Sequence, residues 1–168
     1  VLMSACDAGS AWHTTVLPWL APIVTIIGWA IVNWQNNRRE NRKEARALLD
    51  ASKDLAVDIA ANARAYMCQA ARDEEAEAEI KAGLEELEIE LLRLPMYERL
   101  RNLVSAVADF ADAATGADFE SANRRARDRG DPETQALMAA RNVLLTRMEQ
   151  VYAPEYLPKS ARRQNSWW

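Results

Sequence analysis

Hydrophobic positions fall along this chain in two regimes. From Val16 to Val32, "VLPWLAPIVTIIGWAIV", seventeen residues pass without a charge. From Leu48 onward, apolar residues instead recur every three or four positions among charged ones. A run that is apolar on every side predicts a helix covered all round. The three–four spacing predicts amphipathic helices, each turning one face to a shared core.

The first regime has the dimensions of a membrane span. Trp12 to Trp34 is 22 steps, or ~33 Å at a rise of ~1.5 Å per residue, against a hydrocarbon core of ~30 Å. Tryptophans punctuate this stretch at Trp12, Trp19, Trp29 and Trp34, and indole rings favour the two interfaces of a bilayer. Pro18 and Pro22 predict a helix that begins near Pro18 or kinks near Pro22, because proline suits only a first helical turn. Ala21, Thr25 and Gly28 line one face with small side chains, the arrangement that lets membrane helices approach closely.

Immediately after the run come Arg38, Arg39, Arg42, Lys43 and Arg46, interrupted by Glu40 and Glu44. The cations mark the C-terminal flank as cytoplasmic by the positive-inside rule and set them beside lipid headgroups. Pairing of these cations with Glu40 and Glu44 at helical spacing is the local alternative. The topology expected is an extracytoplasmic segment over 1–15, a transmembrane helix over 16–34, a cytoplasmic helical bundle over 35–153 and a basic tail over 154–168. Cys6 and His13 then lie outside and Cys68 inside. Cys6 follows "LMSA" without the basic and apolar stretches of a lipoprotein signal, so no lipidation is expected.

The second regime predicts an antiparallel bundle or a set of helical hairpins. No Gly or Pro occurs between Trp29 and Gly83, so the first helix should run on without a hinge. Its expected inner stripe is Leu48, Ser52, Leu55, Ile59, Asn62 and Tyr66, flanked by Leu49, Ala56 and Ala63. Arg72 followed by Asp73, Glu74 and Glu75 predicts a turn and a fresh start, since acids favour a first turn. Ile80, Leu84, Leu87, Leu91 and Leu94 then step by four and three, up to Pro95. Met96, Leu100, Leu103, Val107, Phe110 and Ala114 form the next stripe, stopped near Gly116. A short helix over 119–129 is expected before Gly130. "DPET" opens the last helix, with Leu137, Ala140, Leu144, Met148 and Val151 inward and Pro154 and Pro158 ending it.

Composition adds exclusions. Lys and Arg number 21 against 25 Asp and Glu, a net charge of -4, which argues against a dedicated nucleic-acid binder. The single His, His13, lies in the N-terminal segment, so the bundle has no imidazole for a Ser-His or Cys-His relay. No HExxH, CxxC, phosphate-loop or EF-hand pattern occurs, and neither metal nor cofactor is expected. "RRARDR", Arg124 to Arg129, reads as a solvated basic loop.

Arg141-Asn142 on the last helix resembles the Arg-polar pair of HEPN ribonucleases, and the architecture resembles small membrane-anchored HEPN-like accessory proteins of some CRISPR systems. The resemblance implies a degenerate RNA-binding module, with Thr146 or Arg147 where the family places its His. The reading expected of the whole chain is a non-enzymatic, membrane-anchored interaction or self-assembly module, a homo-oligomer at the inner membrane with a further protein partner. A pore-like effector of phage defence or a toxin system is the alternative.

Overall fold

The computed structural model describes the backbone of residues 17–94, 101–116 and 118–156, and the side chains of 22–94, 103–116 and 118–154. The described residues are all-α. They form α1 (Leu17–Met67), α2 (Glu74–Leu92), α3 (Arg101–Thr115) and α4 (Pro132–Tyr156). The chain divides into two units, Val1–Lys43 and Glu44–Trp168. The expected tail (Lys159, Arg162, Arg163, Trp167, Trp168) and Trp12, Cys6 and His13 lie outside the described residues. So do the side chains of Trp19 and Ala21.

α1 is a single helix of 51 residues. It starts at Leu17, placing Pro18 in the first turn, where a missing N–H removes no intrahelical bond. Pro22 lies inside the helix. Among the described residues no helix is long and apolar enough to cross a membrane, so the fold does not support the expected span over 16–34. The part of the run with described side chains, Pro22–Val32, is eleven residues, only ~16 Å of helix.

In the second unit, α1 and α4 run antiparallel. Arg46 and Lys53 of α1 meet Glu149 of α4, while Met67 meets the loop just before α4. α4 lies along α3, and α3 touches α2. α1 comes so close to α2 that a Cβ on Gly83 would sit 2.9 Å from Ile59 Cγ1. The core between them contains Leu49, Tyr66, Ile80, Leu87, Leu91, Leu103, Phe110, Leu137, Leu144 and Met148.

The start of α2, the end of α3 and the start of α4 each have a local cause. Asp73 caps α2, its carboxylate accepting from the Glu75 and Ala76 amides at 3.1 Å each, with Glu74, Glu75 and Glu77 in the first turn; acids there complement the helix dipole. α3 ends at Gly116, whose φ of +44° a side chain rarely tolerates. α4 opens on Pro132, with the Asp131 carboxylate accepting from the Glu133 amide at 3.1 Å. It passes Pro154 and runs to Tyr156, between the two expected stops.

Two expectations need correction. The buried seam of α1 is Ala45, Leu49, Ser52, Ala56, Ile59, Ala60, Ala63 and Tyr66; Leu48 and Leu55 sit half-buried at its edge and Asn62 is exposed. Small residues dominate the seam, and the side chain that meets Gly83 of α2 is Ile59. The expected helix over 119–129 is absent among the described residues, which form turns and irregular chain. Glu120 has φ +62°, a left-handed turn incompatible with a helix. This irregular course brings Arg124 and Arg127 to the end of α1.

Candidate functional site

Three features stand outside ordinary core packing: an uncovered apolar stretch of α1, a row of cations following it, and a buried polar cluster at the other end of α1.

On the apolar stretch, Ile23, Val24, Ile26, Ile27, Trp29, Ile31, Val32 and Trp34 are each 50–69% exposed. At about 100° per residue these positions point to every side of the helix, so no one face is hidden. Thr25 and Gly28, expected on a helix–helix face, lie on the same exposed stretch; no side chain lies within 4 Å of a Cβ built on Gly28. In the second unit, by contrast, the large exposed apolar residues are scattered: Val57, Ile89, Leu92, Val104 and Val143.

The cations that follow are exposed at Arg38, Arg39, Arg42 and Lys43. The Arg38 guanidinium lies 4.0 Å above the centre of the Trp34 ring. Among the described residues none of these four forms an ion pair with Glu40, Glu44 or any other acid. Arg46 departs from the expected set. It is half-buried and donates to Asp50 at 3.0 Å and to Glu149 at 3.1 Å, with its guanidinium 5.3 Å from the Tyr152 ring centre. Lys53 also donates to Glu149. Burial opposes a charge on Glu149, but the hydrogen bonds from Lys53 and Arg46 outweigh it and hold the carboxyl below its ordinary value.

The polar cluster closes the end of α1. Helix ends leave carbonyls without intrahelical partners. Here Arg124 donates to the Tyr66 carbonyl at 2.7 Å and the Arg127 amide donates to the Met67 carbonyl at 3.0 Å. Both arginine side chains are buried. Arg124 stacks 3.4 Å above the Tyr66 ring centre, which accounts for its remaining buried N–H groups lacking hydrogen-bond acceptors. Arg127 reaches Asp118 at 2.7 Å and Glu133 at 2.6 Å. The Tyr66 hydroxyl donates to Glu77, and Arg72 donates to the same carboxylate at 3.0–3.2 Å. The Arg72 bond, with help from Tyr66, holds Glu77 below its ordinary value, against the effect of burial. Burial, then the bond to Glu77, pushes the Tyr66 phenol up.

This cluster has Tyr, Glu and Arg in catalytic proximity, yet the cavity among Tyr66, Met67, Phe119, Arg124 and Arg127 has no room for even a water molecule. It holds the fold and offers no space for a substrate. "RRARDR" is thus only partly solvated: Arg125 and Arg129 are exposed, whereas Arg124 and Arg127 are structural caps. The sequence carried no positive sign of that role beyond the Arg-x-x-Arg spacing and a missing apolar period.

The carboxylates give a pH prediction. Glu77 and Glu149 both titrate lower when folded than their ordinary value near 4.5. The stability each contributes is complete above that value and is lost as pH falls through the lowered one. Circular dichroism against pH should show unfolding below the ordinary carboxylate range, and E77Q/E149Q should flatten that acid limb.

Arg141 donates to its neighbour's Asn142 Oδ1 at 2.9 Å, and Thr146 donates to the Asn142 carbonyl. Asn142, Thr146, Arg147 and Gln150 line an open depression on α4. Among the described residues no three His, Cys, Asp or Glu side chains converge as metal ligands would. No family model, no curated protein and no solved structure matches this chain.

Proposed function

We propose that this chain is a membrane-anchored helical interaction module: the apolar stretch of α1 is held in a bilayer and the helical bundle recruits or self-assembles beside it. The observation that carries the reading is the apolar stretch exposed on every side of its helix. Leaving a buried-size Ile or Trp in water forgoes ~1.5–3 kcal/mol per side chain, so eight such residues demand a cover, and a helix apolar all round matches lipid. The Trp19, Trp29 and Trp34 positions suit the depth and edges of such an anchor. Lys and Arg follow the apolar run and are absent from residues 1–37, which supports a cytoplasmic bundle.

The interaction role draws on the exposed face of α2. Ile89 and Leu92 are 52% and 53% exposed, and beside them Glu85, Glu86 and Glu88 take part in no ion pair among the described residues. An acidic surface with apolar centres suits a second copy or a basic partner. Crosslinking of the full chain in membranes tests the reading. Assembly should be detected at low salt and should weaken when Glu85, Glu86 and Glu88 are changed to Lys. A chain recovered without detergent in the soluble fraction, or assembly indifferent to the three reversals, contradicts it.

A further inference from the structure

The cations after the apolar stretch are arranged on one side only. At about 100° per residue, Arg38, Arg39, Arg42 and Lys43 occupy an arc of about 140°, while Glu40 and Glu44 sit on the opposite side, their midpoint about 150° from that of the cations. Trp34 lies about 40° beyond the edge of this arc, on the i, i+4 row of Arg38 and Arg42, and Arg38 stacks on it. Elsewhere on α1, Arg46 and Lys53 are satisfied by Glu149 and Asp50. Among the described residues the four cations of the arc have no acidic partner, although Lys43 lies only three residues from Glu40. A charge arrangement that merely stabilised the helix would interleave the signs for i, i+4 pairing. This one separates them.

We infer that this face is a binding surface for anionic phospholipid headgroups, and that it turns α1 about its axis so that Trp34, Arg38 and Arg42 lean onto the headgroup layer and Glu40 and Glu44 point away. The inference rests on the anchoring reading and deepens it. An indole and a guanidinium stacked at the boundary of an apolar run provide both halves of an interfacial contact: a ring for the acyl–headgroup border and donors for phosphate. The one-sidedness matters. A helix standing upright would gain equally from cations on any side, whereas a leaning helix gains only from the side facing lipid and is repelled through acids on that side.

The test uses the full chain with Cys6 and Cys68 changed to Ser, reconstituted in vesicles of equal phosphatidylcholine and phosphatidylglycerol. Trace spin-labelled lipid of each headgroup reports the fraction immobilised on the protein. The immobilised fraction should favour phosphatidylglycerol by roughly fivefold, about what one interfacial cation supplies, and the preference should vanish in R38Q/R39Q/R42Q/K43Q. Gln35 lies on the cationic side and Asn37 on the acidic side, two residues apart. A label at Gln35→Cys should be shielded from a water-soluble relaxant and one at Asn37→Cys exposed to it. Equal immobilisation of the two lipids, or a preference that survives the fourfold variant, overturns the inference. So does loss of crosslinking between copies in that variant without lipid preference, which would assign the face to the acidic α2 of a second copy. If no lipid of either kind is immobilised, the anchoring reading itself fails.

Discussion

Arg124→Ala is expected to lower the unfolding free energy of the bundle by about 3–5 kcal/mol. Two losses combine. The charged hydrogen bond to the Tyr66 carbonyl accounts for ~1.5–3 kcal/mol, and the desolvated cation–π contact with the Tyr66 ring for about 2 kcal/mol. The carbonyl left behind keeps only the Gln69 amide, at 3.0 Å, and sits at the end of a helix, where the dipole already concentrates negative charge. Tyr66 is buried and also orients Glu77, so the damage extends to the junction of α1 and α2. Arg125→Ala provides the comparison. Its side chain is 79% exposed, and the change should stay within about 0.5 kcal/mol. Urea titration of both variants, read by circular dichroism, checks the contrast. Equal midpoints for the two would show that Arg124 caps nothing of consequence.

The second large effect is on partitioning. Ile27→Asp together with Ile31→Asp should release the chain from membranes. Each Asp costs about 2.5–3.5 kcal/mol within a membrane helix, so the pair shifts partitioning by about 6 kcal/mol, a factor on the order of 10⁴. Val143→Asp is the matched control. Val143 is 50% exposed, as is Ile31, but it is an isolated apolar residue on α4. It should leave fractionation unchanged. If the double variant sediments with membranes as the parent does, the apolar stretch is covered by something other than lipid.

Large apolar side chains made much of the fold legible. Ile80, Leu87 and Leu91 repeat at helical spacing and are buried as that spacing requires. The absence of Gly and Pro after Gly28 let α1 run on unbroken to Met67, and the acids after Arg72 gave the new start at Glu74. The seam of α1 was displaced because Ala45, Ala56, Ala60 and Ala63 contribute little to an apolar pattern yet are buried. Arg124 and Arg127 were illegible for a different reason. Their partners include backbone carbonyls of Tyr66 and Met67, 58 and 60 residues earlier in the chain, and a carbonyl leaves no trace in side-chain pattern. Likewise, the separation of Arg38, Arg39, Arg42 and Lys43 from Glu40 and Glu44 was present in the spacing. Only the fold shows that Arg46 leaves the group for Glu149 while the other four form no ion pair among the described residues.

Protection of a single cysteine at position 27 tests the anchor most directly. In opened membranes carrying the cysteine-free chain with Ile27→Cys, a water-soluble maleimide should fail to react until detergent is added, while Asp54→Cys on the bundle reacts at once. Equal labelling at both positions before detergent would contradict the account.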